Sequence, residues 1–126
     1  MFTEKEIAYM KAQPLARIGT VSPTAQPDVS PVGFRFDGQH FRISGMNNSA
    51  TRKYKNVAGG NMLVALAIDD LKSVDPWAPR GIKVYGTAEI AADDTLRIKP
   101  TISWSWNVEG PAMVNGKFVT HKTIHR

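Results

Sequence analysis

The segment Asn47-Asn48-Ser49-Ala50-Thr51-Arg52-Lys53-Tyr54-Lys55-Asn56-Val57 gathers three cations, two hydroxyls and a run of backbone amides at one strand-to-helix junction. A helix N-terminus leaves about four N–H groups unpaired and carries a partial positive charge. Adding Arg52, Lys53 and Lys55 makes the junction suited to a phosphate or another polyanion. The plainer reading is a solvated basic helix end, since charged helix surfaces are common.

Other constellations exclude chemistry. The histidines His40, His121 and His125 lack metal spacing. His121 and His125 are four apart, but no carboxylate lies near them in sequence, so no metal site is expected. No serine–histidine–aspartate set, Walker loop or Gly-x-Gly-x-x-Gly occurs. Asp69-Asp70 and Asp93-Asp94 are paired carboxylates, but each pair is expected in a solvated turn at a strand end.

The chain has 126 residues, enough for a single domain over residues 1–126. The net charge is +5 and the pI about 9.7. That balance favours anionic partners without choosing among them. There is no cysteine, which removes disulfide and thiolate chemistry and suits a reducing cytoplasm. No apolar run reaches the roughly 18–20 residues of a membrane span. Met1 to Glu6 is charged and reads as a helix start rather than a secretion signal. Aromatic residues are not interleaved with a basic strand face, so nucleic acid is not an expected partner.

The elements that must position the junction follow from pattern. Thr3-x-x-Glu6 is a capping box with Phe2 and Ile7 at the staple positions. A helix is predicted from Glu4 to Ala12, burying Ile7, Met10 and Ala8, and stopped by Pro14. Leu15 to Ser22 alternates as a half-buried strand. Asp28 to Phe36 is a second strand, in which Pro31 argues for an edge or bulge. Asp37-Gly38 is a hairpin turn, and His40 to Met46 a third strand. The basic helix runs to Ala58, stopped by Gly59-Gly60. Met62 to Ile68 is a nearly continuous apolar run, predicted to be covered on both faces. Asp69 to Pro79 is predicted as a loop, Ile82 to Ile90 as a fifth strand and Leu96 to Trp106 as a sixth, interrupted at Pro100. The last twenty residues fit no clear pattern beyond a turn at Asn115-Gly116. These short strands and tight turns predict a mainly β fold, a small antiparallel barrel of six or more strands with short helices.

Three stretches resemble a known family. Ala16-Arg17-Ile18-Gly19-Thr20-Val21 with Pro31-Val32-Gly33-Phe34-Arg35 looks like the first hairpin of the split β-barrel superfamily of pyridoxamine phosphate oxidases. Thr51-Arg52-Lys53-Tyr54-Lys55-Asn56-Val57 resembles its phosphate-binding helix. Ser73-Val74-Asp75-Pro76-Trp77-Ala78-Pro79-Arg80-Gly81 and Leu96-Arg97-Ile98-Lys99-Pro100-Thr101-Ile102-Ser103-Trp104 are similar to its deazaflavin-dependent branch, including the tetracycline-reducing type. The resemblance covers about residues 2–106. It implies an FMN-binding-like split barrel, and a homodimer with two cofactor sites at the interface. It further implies hydride transfer from coenzyme F-420 to an electron-poor small organic substrate, of conjugated alkene or tetrapyrrole type.

The resemblance assigns cofactor-binding roles to particular residues. Lys53 is expected to contact the cofactor phosphate. Thr51 either donates to that phosphate or caps its own helix. Arg52 and Lys55 point to different sides of the helix, so at most one joins Lys53 closely. Asn56 is expected to pin the helix to a neighbouring loop. Pro31, Val32, Gly33 and Phe34 form a wall of the ring pocket, with core packing the alternative for Val32 and Phe34. Ser44 and Gly45 end the third strand within reach of the cofactor. Trp77 and Arg80 either cover the cofactor across the dimer or anchor their loop. Trp104 and Trp106 share a strand face and either stack on the ring or fill a dimer core. No catalytic acid or base is assigned, since in cofactor enzymes the protein mainly binds, orients and excludes water. F-420 carries an anionic tail that FMN lacks and is the favoured cofactor, with FMN the alternative. A non-catalytic cofactor or tetrapyrrole carrier is the reading from another class.

Overall fold

All 126 residues are described by a computed structural model. The capping box forms as the sequence demands. The Glu6 amide donates to the Thr3 hydroxyl at 3.1 Å, and the Thr3 amide donates to the Glu6 carboxylate at 3.0 Å. Helix α1 then runs Glu4–Ala12. Of the expected Ile7, Met10 and Ala8, Met10 is buried, Ile7 half-buried and Ala8 exposed, while Glu6 and Tyr9 are buried instead. The difference has a chemical cause. Glu6 is wholly buried because Ser105 donates to it and the His121 ring lies 3.4 Å away, so its carboxylate is satisfied without water.

Strands β1 (Leu15–Val21), β2 (Pro27–Gly33), β3 (Arg35–Phe36), β4 (Phe41–Ile43), β5 (Leu63–Ser73), β6 (Ala78–Ile90) and β7 (Leu96–Trp106) form one curled antiparallel sheet, ordered β2-β1-β5-β6-β7-β4-β3. The expected second strand is broken at Phe34. Pro31, and Pro27 from the expected turn before it, sit on the edge strand β2, where a missing N–H is tolerated. The third strand is shorter than expected and ends at Ile43.

The expected loop at 69–79 is strand instead. β5 continues to Ser73, β6 begins at Ala78, and the turn between them is 74–77. Asp69, Asp70 and Lys72 look like loop residues in sequence. Cross-strand arginines hold the acids in the sheet: Asp70 faces its register partner Arg80 at 2.7 Å, and Asp69 meets Arg17 at 3.0 Å. Both acids are therefore strand rather than turn residues, although Asp69 stays exposed. Opposite charges directly across a ladder support it. β5 is also not covered on both faces; it alternates, and Leu63 is 76% exposed. At Pro100, which cannot donate, the β6–β7 register slips. Thr101 is the extra residue and donates to the Tyr85 carbonyl at 3.1 Å.

The core lies inside the curl, where Ile18, Phe41, Ile43, Leu66, Ile68, Ile82, Val84, Leu96 and Ile98 meet Met10 and Phe2. After β7 the chain forms a small hairpin, β8 (Met113–Val114) and β9 (Lys117–Phe118), around Asn115 and Gly116, both at positive φ. A last strand, β10 (His121–Ile124), pairs with β7. Sequence pattern does not predict it. No helix is long and apolar enough to cross a membrane.

His125 follows β10, with its Nε2 2.8 Å from the Ser103 hydroxyl and its ring 4.3 Å from that of Phe2. Burial pushes its pKa below the ordinary value. The unfolded chain therefore takes up that proton more readily, and stability falls as pH drops below about 6.5. Urea midpoints measured from pH 8 to pH 5 should decline less for His125→Gln than for the wild type.

Candidate functional site

The junction after β4 is held by a closed ring of hydrogen bonds. Asn48 lies in a single 3-10 turn, Asn48–Ala50, and its side-chain amide donates to the Asp94 carbonyl at 2.7 Å. The Thr51 hydroxyl donates to the Asn48 carbonyl at 2.6 Å and accepts weakly from the Tyr54 amide at 3.4 Å. The Tyr54 hydroxyl returns to the Asp94 carboxylate at 2.8 Å. Asp94 itself sits at positive φ in the β6–β7 turn. Strand end, helix start and distant turn are thereby locked together.

Helix α2 is Arg52–Ala58 and packs against β1, β2 and β6. Thr51 is its N-cap, as expected. With two turns its dipole is short, so attraction for an anion must come chiefly from side chains. Arg52, Lys53 and Lys55 all lie outside the ion pairs of the fold. Among the cations, only Arg17, Arg42, Arg80 and Arg97 have a carboxylate partner, apart from His121 beside Glu6. Arg52 and Lys55 are exposed and Lys53 half-buried. Asn56 is fully buried and donates to Thr20 at 2.9 Å. It pins α2 to strand β1 rather than to a loop, and its side chain does not reach the surface. Its side-chain Oδ1 has no partner.

Ser44 and Gly45 are exposed between β4 and the junction. Ser44 lines a cavity of about 440 Å³ with Gly33, Phe34, Arg35, Arg42, Asp93 and Thr95. Arg42 is tied at 2.7 Å to Asp37. Backbone donation from His40 and Gln39, together with Arg42, holds the Asp37 carboxyl well below the usual range. Because Asp93 and Asp94 are neighbours, the turn that clamps the junction also contributes to this cavity.

Register decides which of the remaining residues share a face. Arg17 pairs with Pro31 and with Ala67, Ala67 with Lys83, Lys83 with Trp104, and Trp104 with Lys122. This row lies on the outer face of the sheet. Gly33 and Trp106, two residues further along their strands, share that face. Val32 alternates inward and is only 8% exposed, within the core, so it cannot line an outer pocket. Phe34 packs against Phe41, with ring centres 6.2 Å apart, yet reaches the cavity beside Ser44. Trp104 meets Tyr85 edge-on at 5.0 Å, and the Lys83 ammonium sits 4.6 Å from its ring centre, a cation–π contact.

Arg80 is not a free cation. Its guanidinium donates twice to Asp70, at 2.7 and 3.0 Å, and lies 5.1 Å over the Tyr9 ring. The Tyr9 hydroxyl donates to the same Asp70 at 2.7 Å. Burial, then the hydrogen bond to Asp70, raises the Tyr9 pKa. Arg80 lowers that of Asp70. Trp77, 68% exposed at the hairpin tip, lines the adjoining cleft with Arg80. The structure thus sends Val32 and Asn56 into the interior and divides the other expected residues among the basic junction, the segment and cavity at Ser44, and the outer face running to the Trp77 cleft. Sequence reasoning missed Tyr9, Asn48, Tyr54, Asp70 and Asp94. The Asp-Asp-Thr turn around Asp94 carries a turn signal, but nothing local marks its partners.

The chain belongs to the pyridoxamine 5'-phosphate oxidase family, whose model matches residues 2–105. It is 34% identical over 122 residues to a 5a,11a-dehydrotetracycline/5a,11a-dehydrooxytetracycline reductase of Streptomyces rimosus subsp. rimosus, covering 86% of this chain and 85% of the relative. Two solved structures share the fold. An F-420 reductase superposes with a TM-score of 0.64 at 19% identity, over 81% of this chain and 98% of that one. A heme binding protein from Mycobacterium smegmatis superposes with a TM-score of 0.70 at 14% identity, over 98% of this chain and 59% of that one. The fold is therefore the expected split barrel, and the family and the reductase relative make the protein one of oxidoreductase type.

The Asp70 ion pair gives a pH signature. Because the folded pKa is depressed, its stabilisation is present above the unfolded value of about 3.9 and is lost as pH falls through the folded one. Asp70→Asn should lower the melting temperature at pH 7, and its gap to the wild type should close below about pH 4 in parallel scanning calorimetry.

Proposed function

We propose that the protein is a reductase that uses the deazaflavin coenzyme F-420 to reduce an electron-poor small organic substrate. The observation that carries this reading is the crowding of Arg52, Lys53 and Lys55, none of them ion-paired, at one ordered helix start in a family whose relative at 34% identity is a reductase. Three unpaired cations beside an ordered, hydrogen-bonded junction fit the phosphate of a flavin or deazaflavin. Lys53 holds that phosphate, with Arg52 or Lys55 beside it. Ser44 and Gly45 offer a hydroxyl and an amide close by in the chain. Pro31 and Gly33, at the β2 edge of the outer face, supply a wall for the ring, while Trp104, four strands away by register, serves it only from a second copy. F-420, when bound and reduced, supplies a hydride equivalent. The chain's part is to orient the ring, exclude water and seat the acceptor, so no side-chain acid or base is required.

The active form is a homodimer joined through the outer face of the sheet. Supporting this, Val29, Leu63, Tyr85 and Ile124 all expose apolar surface there, more than an isolated barrel normally leaves bare. Burying that face in a second copy completes the ring pocket and enlarges a modest core. A cysteine-free chain acting on such a cofactor fits the cytoplasm.

Equilibrium binding of F-420 and FMN to the purified protein tests the cofactor. F-420 should bind more tightly, and the opposite order would move the reading to a flavin enzyme of the same fold. Lys53→Ala should weaken F-420 binding by about 1–3 kcal/mol, the cost of losing a charged hydrogen bond; unchanged affinity would remove the basic junction from the site. In sedimentation velocity, Leu63→Asp should shift the protein from dimer to monomer. A wild type that is monomeric at all concentrations would end the dimer proposal.

A further inference from the structure

The outer face of the sheet is not uniform. One row across it, Val29, Gly19, Ala65, Tyr85, Ile102 and Ile124 by register, is apolar. Towards the β5–β6 turn the character changes to tryptophan and paired charge. A cleft of about 510 Å³ opens there, lined by Arg17, Asp69, Asp70, Leu71, Trp77, Pro79, Arg80 and Trp106. It wraps the end of the hairpin, taking Arg17, Asp69 and Trp106 from the outer face and Asp70 and Arg80 from the side of α1.

The position of Trp106 is built into the backbone. Its register partner on β6 is Gly81. A Cβ at that position would stand 2.5 Å from Cζ2 of the indole and 2.8 Å from the Ile68 carbonyl. The absent side chain lets Trp106 lie across β6, and glycine in a strand interior otherwise weakens it. The second indole, Trp77, is held out into solvent by the turn.

The rim has a particular electrostatic quality. Arg17 and Arg80 offer N–H donors, but Asp69 and Asp70 neutralise both charges. The Tyr9 hydroxyl and the Arg80 stack behind it fix Asp70 in place. Neutralised guanidiniums have little net pull on a phosphate. They suit a ligand that both accepts and donates hydrogen bonds at its edge. Indole faces favour a flat, conjugated ring system over an aliphatic one.

The geometry points to this cleft as a binding site for a planar, conjugated ring compound with both hydrogen-bond donors and acceptors at its rim. Under the reductase reading above, on which this part rests, that compound is the substrate to be reduced, held apart from the phosphate-binding junction. Trp77 and Arg80 then serve the substrate rather than the cofactor.

The test is protein-observed NMR on the whole chain, titrated with a hydroxynaphthoquinone and no cofactor present. The chain has three tryptophans, so three indole N–H signals report directly, assigned by single Trp→Phe variants. The signals of Trp77 and Trp106 should move together and saturate. Trp106→Leu should weaken the affinity by roughly fivefold or more and Trp106→Phe by less, since a phenyl face still stacks. Gly81→Ala should also weaken it, by displacing the indole. Should that variant fail to fold, Trp77→Ala at the exposed turn provides the same comparison. Movement of Trp104 alone, no movement, or unchanged affinity in Trp106→Leu and Trp77→Ala would overturn the cleft. Because the titration contains no deazaflavin, a chain that binds no F-420 but shifts both indoles loses the reductase reading and keeps the site. A chain that binds F-420 with both indoles still loses the site alone.

Discussion

The alternation of side chains through the β5–β6–β7 register is the constraint on which the rest depends. Each step of one residue moves a side chain from the core to the outer face. Ile82 and Val84 therefore build the core while Lys83 and Tyr85, between and beyond them, build the surface. The same rule places Ser103 and Ser105 inside, where they meet His125 and Glu6, and Trp104 and Trp106 outside. Had the register slipped by one, the tryptophans would enter the barrel and the buried carboxylate of Glu6 would lose its serine. The slip that does occur, at Pro100, is absorbed by the single extra residue Thr101.

That alternation leaves the sheet with two working surfaces. The inner one is closed by α1, whose own position is set by polar contacts as much as by packing. Glu6 and Tyr9 reach across to Ser105 and Asp70, so the helix is fastened at two points where a misplaced turn would strand a buried carboxylate or hydroxyl. The outer face carries apolar surface at one end and paired charge with indoles at the other. The basic junction lies off both, carried by α2 and fastened to the β6–β7 turn through Asn48, Tyr54 and Asp94. A basic helix of only two turns can be stiff because its partners are hydrogen-bonded on every side.

Charge is handled differently in these regions, and the difference has functional weight. Arg17, Arg42, Arg80 and Arg97 are each spoken for by an acid, and so serve the sheet. Arg52, Lys53 and Lys55 are not, although the fold has eleven acidic residues to offer. Leaving cations unpaired close to one another is unfavourable without a ligand. Every lysine, with Arg35 and Arg126, likewise lies outside the ion pairs, so what marks Arg52, Lys53 and Lys55 is their crowding within four residues at one ordered helix start.

Much of the architecture was legible in the chain itself. The capping box at Thr3 and Glu6, the turn at Asp37-Gly38, the stop at Gly59-Gly60 and the seventh strand's span are local signals, because each depends on groups a few residues apart. The resemblance of the Thr51–Val57 segment likewise pointed to the family. What the sequence could not reveal was long-range. Asp69 and Asp70 look like loop residues until Arg17 and Arg80 are brought opposite them. Val32 looks like a pocket wall until register turns it inward. Asn56 looks like a tether to a neighbouring loop until Thr20 of β1 meets it in the interior. The final strand β10 has no pattern of its own and exists because β7 offers an unpaired edge. Local hydrogen bonding and periodicity were enough to name the elements, whereas partner choice across the sheet, which costs chain entropy and is decided only when distant strands meet, determined which side chains are free to bind anything.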